Sequence, residues 1–335
     1  MSSRLTINDI AAAAGVSVAT VSKAVNGRYG VAPATAARVM AIVRESGYES
    51  SMLASRMRGV RSGVVGVLVA EFEPFSAEVL NGVSDAARAL HCDVLAYSGA
   101  YGADPAGWEQ RSLRRLSGQL IDGAIMVTPS TFVKASDVPI IAVDPHMGSL
   151  DTPTVEADSF AGGVAATRHL IELGHRRIGF VAGRPDLRSS LARDAGYRRA
   201  LSDSGISFDS KLTRTGFFDG VAATKAAHSL LGSPSRPTAV FAANDRTAYA
   251  VIEVARALEL DVPGDLSVVG FDDLAAVSQD MPALTTIRQP MRELGEVATR
   301  QLVALMGGEQ LERRHTVLPT RLIVRATTAP PRDPA

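Results

Sequence analysis

The sequence predicts two architectures in one chain: a small all-α head, and an α/β body of two doubly wound parallel-sheet subdomains. Three observations carry this expectation. At 335 residues the chain is about twice the usual size of one domain. Its charges separate, because Arg4, Lys23, Arg28, Arg38, Arg44, Arg56, Arg58 and Arg61 face only Asp9, Glu45 and Glu49 up to Ser62, a net +5 that the remainder cancels with −5. From Gly63 onward, short apolar runs alternate with amphipathic helical stretches, the pattern of parallel strands joined by crossover helices.

Composition excludes several kinds of protein. A hydrophobic share of 46% supports sizeable cores and excludes disorder for most of the chain. The net charge of zero, taken whole, argues against a basic nucleic-acid coat, but once split it points to a polyanion partner for the head. Cys92 is the only cysteine, which removes disulfide scaffolds and cysteine zinc sites and leaves a buried structural thiol as its expected role. The first residues, through Asn8, are polar, and no apolar run approaches the ~18 residues of a membrane span. A cytoplasmic protein is expected, with no membrane partner, no metal and no cofactor.

The head reads as short helices. Thr6 is placed to cap the first, with Asp9 in the capping-box position, and Ile7, Ile10, Ala11 and Ala14 form its buried stripe before Gly15 stops it. Ser17 caps a second helix through about Asn26. The tight turn Gly15-Val16-Ser17 between two helices is the helix-turn-helix pattern. A third helix starts at Pro33, buries Ala37, Met40, Ala41 and Val43 or the stem of Arg44, and stops at Gly47, with Tyr48 closing the small core. In the second helix Val21 and Val25 look inward with Ala24 alongside, leaving Val18, Ala19, Ser22 and Lys23 outward. An outward Val-Ala pair beside hydroxyls and a lysine suits contact with thymine methyls and phosphates. The bland alternative is a three-helix bundle with no partner.

The runs Leu5-Thr6-Ile7-Asn8-Asp9-Ile10-Ala11 and Gly15-Val16-Ser17-Val18-Ala19-Thr20-Val21-Ser22-Lys23-Ala24-Val25-Asn26-Gly27 resemble the DNA-binding head of the LacI/GalR family of bacterial transcriptional regulators. The resemblance implies that Val18, Ala19 and Lys23 read base edges while Thr6, Ser17, Thr20, Ser22 and Asn26 hold phosphates. It places Val18 and Ala19 at the two positions that set operator choice in the family.

Residues 51–62 follow as a hinge and linker. Leu53, Ala54 and Met57 fall at helical spacing beside Arg56, Arg58 and Arg61. In the family this stretch folds in the minor groove when a dimer binds DNA, so the resemblance assigns Leu53, Ala54, Met57 and Arg58 to that groove. A helix of about nine residues is too short to be stable alone in water, and apolar side chains wedged into a base step are a known kinking device. The sequence departs from the family in having Met57 where leucine is usual and Ser55-Arg56 where Arg-Ser is common. Methionine still wedges but is more flexible. An ordinary solvated linker is the other reading of this stretch.

In the body the strand candidates are Val64 to Val69, Val94 to Tyr97, Ala124 to Val127, Ile140 to Val143, Ile178 to Val181, Ala239 to Ala242, Val268 to Phe271 and a last strand from Leu318 to Arg325. Helices are expected over Ala77 to Leu90, Ala161 to Leu173, Leu191 to Ser204 and Thr247 to Leu260. Such a body places a ligand cleft at the carboxyl ends of its strands. Phe75, Asp158, Arg193, Phe217, Phe218, Asn244, Asp245, Asp272 and Asp273 stand just after strands or at helix starts. Planar aromatics with Arg, Asn and Asp fit a polyol, rings on C–H faces and bidentate groups on adjacent hydroxyls. A helix-cap or turn role is the alternative for each, and the preferred one for Asp245 and Asp273.

The family resemblance extends through His169-Leu170-Ile171-Glu172-Leu173-Gly174-His175-Arg176-Arg177-Ile178, Ala242-Ala243-Asn244-Asp245, Val269-Gly270-Phe271-Asp272-Asp273 and Leu284-Thr285-Thr286-Ile287-Arg288-Gln289-Pro290. It implies a periplasmic-binding-protein-like core over residues 63–326, with residues 63–162 and 291–320 in one subdomain, 163–290 and 321–326 in the other, and a disordered tail from 327 to 335. It also implies that Asp158, Arg193, Phe218, Asn244, Asp272 and Gln289 line an effector pocket, with Arg193 and Asp272 foremost.

No dinucleotide fingerprint, phosphate-binding loop or paired-histidine zinc motif occurs, so an enzyme is not expected. A sugar kinase or isomerase and a transport binding protein are the competing classes. The expected protein is a repressor binding a near-palindromic operator as a homodimer, controlled by a sugar or, alternatively, a purine. No leucine heptad follows the last strand, so a tetramer is not expected.

Overall fold

The computed structural model describes residues 5–25, 29–46, 62–99, 107–117, 120–131, 133, 136–147, 152–274 and 281–332. Contacts divide the chain into two units, residues 1–62 and 63–335. The expected hinge, with Leu53, Ala54, Met57 and Arg58, lies outside the described residues, as do Asn26, Gly47 and Tyr48.

The head holds α1 (Ile7–Ala14), α2 (Val18–Val25) and α3 (Pro33–Ser46). Gly15 takes φ 64°, the left-handed turn that ends α1 and that a side chain would oppose. Ile10, Ala11, Ala14, Val21 and Val39 form the buried centre, with Ile7, Ala24, Val25, Ile42 and Val43 packed around it. The stripe expected on α3 is out of phase. Ala37 and Arg44 are exposed and Met40 and Ala41 half-buried, whereas Val39 is fully buried with Ile42 and Val43 beside it. The β-branched side chains at i, i+3 and i+4 win the interior over the smaller alanines, because they bury more apolar area.

The body has two six-stranded sheets. The first takes β1 (Val64–Val69), β2 (Asp93–Ser98), β3 (Gly123–Val127), β4 (Ile140–Val143), β5 (Thr154–Ala157) and β11 (His315–Leu318), in the order β11-β5-β4-β3-β1-β2, all parallel. The second takes β6 (Ile178–Ala182), β7 (Thr213–Thr215), β8 (Ala239–Ala242), β9 (Ser267–Asp272), β10 (Thr285–Arg288) and β12 (Arg321–Ile323), in the order β12-β10-β9-β8-β6-β7, with β12 alone antiparallel among the described strands. The helices are α4 (Pro74–Ala89), α5 (Trp108–Leu116), α6 (Ser159–Glu172), α7 (Arg188–Asp203), α8 (Gly220–Leu231), α9 (Asp245–Ala257) and α10 (Met291–Gly307).

Helices on both faces explain the continuous apolar runs. All six residues of β1 are buried. Val65, Val67 and Val69 pack toward α4 and α10, while Val64 and Leu68 pack toward Trp108, Leu113 and Leu116 of α5. In the second sheet Phe180 stacks on Tyr197 and on Phe241, each at 5.1 Å between ring centres. Each half also contains one tight helix crossing. Gly82 of α4 lies against the main chain of Arg292 and Gly295 of α10 against that of Val79; Gly163 of α6 lies against Arg193 and Gly196 of α7 against Phe160. A methyl group at any of the four would overlap main-chain atoms of the partner helix.

Three expectations need correction. The last strand, expected unbroken from Leu318 to Arg325, is two strands in different sheets, β11 and β12, separated at Pro319, which has no N–H for a ladder. The expected division between residues 162 and 163 would cut α6, but α6 packs on α7, β9, β10 and β12 of the second half. The tail is not loose through residue 332. Thr327 is fully buried and bonds Val268 O through its hydroxyl, Ala329 N donates to Ser267 Oγ at 3.0 Å, and Arg332 pairs with Asp261 and Asp265. Its prolines lower the entropy lost on pinning it.

Candidate DNA-reading head and effector cleft

In the head, the Asp9 carboxylate accepts from both the Thr6 N–H and the Thr6 hydroxyl at 2.7 Å, closing the start of α1. Those bonds hold Asp9 below the usual carboxylate range. Ser17 Oγ accepts from Thr20 N at 3.1 Å and lies 2.9 Å from Thr20 Oγ1, so two expected phosphate holders also shape the start of α2. Val21 is fully buried, which fixes the rotation of α2 and turns Val18, Ala19 and Lys23 outward. Val18, 40% exposed, is an apolar side chain that packing inside the head does not explain. Thr20 and Ser22 are half-buried.

In the body, Arg193 sits within α7 rather than at its start, because the helix begins at Arg188. The residue is 3% exposed. The guanidinium lies 3.7 Å from the Phe271 ring centre and 5.7 Å from that of Phe218. Nη1 donates to the carbonyl of Ala243 and stands 3.8 Å from Asp272 Oδ1. Gln289 Nε2 donates to the same Asp272 oxygen at 2.6 Å. Arg193, Phe218, Asp272 and Gln289 therefore form one group at the carboxyl ends of the second sheet, next to Asn244. Phe217, Phe218 and Asp272 all have positive φ, 56°, 59° and 116°, backbone strain concentrated where ligands are gripped.

The remaining expected residues have local duties. Asn244 caps α9 by accepting from Thr247 N at 2.9 Å, and Asp158 caps α6 by accepting from Ala161 N at 2.8 Å. Phe75, half-buried in the first turn of α4, packs with the apolar interior of the first half. Asp245 bonds Thr286 Oγ1 and Leu274 N, and Asp273 pairs with Arg288 and Arg325 at 2.6 Å each.

Asp144 was not among the sequence candidates. It follows β4, where the Ser189 hydroxyl and the charge of Arg193, both from the other half, favour its ionised form against burial. The signal was available: Asp144 is the first acid after the apolar run Ile140 to Val143, just as Asp272 follows Val268 to Phe271. Burial pushes Asp144, Asp245 and Asp272 above the usual carboxylate range, and Arg193 opposes that rise at Asp144 and Asp272. Around them the two halves touch. Arg188 N donates to His146 O at 3.1 Å, and Arg188 Nη1 pairs with Glu156 at 3.2 Å.

A helix-turn-helix ahead of a two-lobed ligand-binding body defines a ligand-responsive regulator of transcription, not an enzyme. Residues 6–51 match bacterial regulatory proteins of the lacI family, and residues 167–328 match the periplasmic binding protein-like domain. Catabolite control protein A of Priestia megaterium is 30% identical over 332 residues, 97% of this chain and 99% of that protein. The ribose operon repressor of Escherichia coli (strain K12) is 32% identical over 333 residues, covering 96% and 99%. Among solved structures, the lac repressor dimer bound to operator and the anti-inducer ONPF superposes with a TM-score of 0.86 at 27% identity, over 98% of this chain and all of that one. The complex of the transcriptional regulator CelR with cellobiose gives 0.73 at 32% identity, over 97% and 100%. The chain belongs to the LacI family of bacterial regulatory proteins. Among the described residues no helix is long and apolar enough to cross a membrane.

Proposed function

We propose that this regulator is a cytoplasmic repressor that binds a near-palindromic operator as a homodimer, residues 1–50 reading DNA, 51–62 acting as the hinge and the body taking a sugar effector. The observation that carries the effector reading is the buried group of Arg193, Asp272 and Gln289 beside the Phe218 ring. It is a set of bidentate groups and an aromatic face suited to hydroxyls and C–H surfaces. The named relatives include a ribose operon repressor and a cellobiose complex, which favour sugar over purine. PurR repressors from two organisms, 31% and 32% identical, keep the purine reading as the alternative. A thermal-shift screen across sugars and nucleobases decides between them, since a ligand that binds only the folded state raises its melting point.

On the DNA side, Val18, Ala19 and Lys23 contact base edges, and Thr6, Ser17, Thr20, Ser22 and Asn26 contact phosphates. Exchanging Val18 and Ala19 together redirects operator preference while leaving affinity for unrelated DNA within a few-fold. The check is selection of preferred sites by wild type and variant; equal loss on all DNA contradicts the assignment.

A further inference from the structure

Asn244 caps α9 through Thr247 N, so capping does not explain the burial of the carboxylate next to it. Asp245 is 2% exposed, and its two oxygens serve two other elements. Oδ1 accepts from the Thr286 hydroxyl on β10, and Oδ2 accepts at 2.8 Å from Leu274 N, just past the end of β9. Room for the carboxylate comes from Gly270 of β9, the ladder partner of Thr286, where a methyl group would overlap Asp245 Oδ1. A main-chain N–H and a hydroxyl that approach from different elements call for a side chain with two acceptors, which a carboxylate supplies.

The bond to Leu274 falls where the chain needs holding. Asp272 and Asp273 take φ 116° and 63° in succession, conformations that a side chain opposes. Asp273 is fixed by Arg288 and Arg325, and Asp272 by Gln289, whose N–H and side-chain amide reach its carbonyl and its carboxylate. Leu274 completes the turn. Its side chain packs with the apolar interior of the first half, while the bond to Asp245 anchors its main chain to the second. The same short segment also positions the other partner of the site, since Ala243 O, two residues before Asp245, accepts from Arg193 Nη1. Arg193 and Asp272, 3.8 Å apart, are therefore both referred to residues 243–245, the first through a carbonyl and the second through Asp245 and the turn.

We infer that Asp245 is a positioning residue of the effector site: its carboxylate, lodged over Gly270 between Thr286 and Leu274 N, holds the turn that aims Asp272 at Arg193. It acts through Asp272 and not on the effector itself. The inference rests on the reading of this cleft as the effector site.

The test compares Asp245→Ala, Asp245→Asn and Thr286→Val in the full chain. An asparagine at 245 still accepts from Leu274 N while its amide donates to the Thr286 hydroxyl, which reverses, so it should restore what alanine loses. Hydrogen exchange is followed over residues 270–274 and 286–290, with 178–182 of β6 as the internal reference. Asp245→Ala should speed exchange about tenfold or more in the first two stretches and leave the reference within about twofold, with Asp245→Asn near the wild type and Thr286→Val between them. Thr286→Val removes one hydroxyl without changing shape, and it carries the comparison should the alanine variant not fold. Ribose, glucose and cellobiose serve as effector probes in parallel: any that stabilises the wild type should bind Asp245→Ala about tenfold or more weakly, and Asp245→Asn within about threefold of the wild type. Exchange that speeds uniformly, reference included, shows a role in folding alone and overturns the inference. Unchanged exchange in Asp245→Ala overturns it too, as does an asparagine no better than alanine. If none of the three sugars stabilises the wild type, the sugar reading loses its support, and the exchange pattern still decides whether Asp245 holds the turn.

Discussion

In the first half of the body α4 and α10 cross with Gly82 against the main chain of Arg292 and Gly295 against that of Val79, and the interior beside the crossing is Val79, Val83, Met291 and Leu294. In the second half α6 and α7 cross in the same reciprocal manner through Gly163 and Gly196, yet the residue that Gly163 touches is Arg193, whose charged side chain is buried. The two crossings share a geometry and differ in what they carry. Close main-chain contact gives the first half a rigid platform; in the second it fixes the position of a guanidinium between two rings. A flexible side chain held at its base loses less freedom when a ligand arrives.

The largest effect is expected where the second crossing has no counterpart in the first. Arg193→Ala leaves Asp272 and Asp144 without their cation, and breaking a buried pair from one side costs about 3–5 kcal/mol. Denaturant unfolding should show a loss of that order, effector response should vanish, and operator binding should persist. Persistence of induction would remove Arg193 from the site. Next come the glycines. Gly82→Ala and Gly163→Ala each force a main-chain shift at a packed crossing, a loss of about 1–3 kcal/mol. Both should lower the melting point, but only Gly163→Ala should also weaken effector affinity, read by titration at a temperature where both variants are folded. Equal effector affinity in the two would mean that the second crossing does not aim Arg193.

The smallest effect is a slope. Burial, opposed by Arg193, holds Asp272 above its value of 3.8 in an unfolded chain. The folded state therefore holds this proton more tightly, so the stability contributed is complete below about pH 4 and drains away as pH rises through the raised folded value. Between about pH 4 and 8 wild-type stability should fall and then level off, and Asp272→Asn should fall less. Identical slopes would show that Asp272 does not carry the proton.

How much was legible in the sequence follows the same contrast. Long apolar runs such as Val64 to Val69 announced buried central strands, because both faces are covered. Strands β5, β7 and β10 begin on threonine and span three or four residues, too short for a period to show, and they were missed; their partners in the sheet define them. Helices α5, α8 and α10 were outside the expected set as well; the alanine-rich segment of α8 lacks the strong polar face that marks a helix at a surface. Arg193 and Asp272 were readable as residues, but their pairing across 79 positions of chain was not. Asp144 escaped although it obeys the rule that found Asp272, since Pro145 after it reads first as a turn.

The chain passes between the two sheets three times, after β5, after β10 and between β11 and β12. Neither half is thus one uninterrupted stretch of the gene. A deletion starting at residue 291 would strip a helix and a strand from the first half and a strand from the second at once. Recombination that exchanged one half for a relative's would need three matched breakpoints, whereas the boundary at residue 62 needs one. New ligand responses are therefore most readily acquired by swapping the body entire behind an unchanged head, and graded specificity must come from point changes within the cleft.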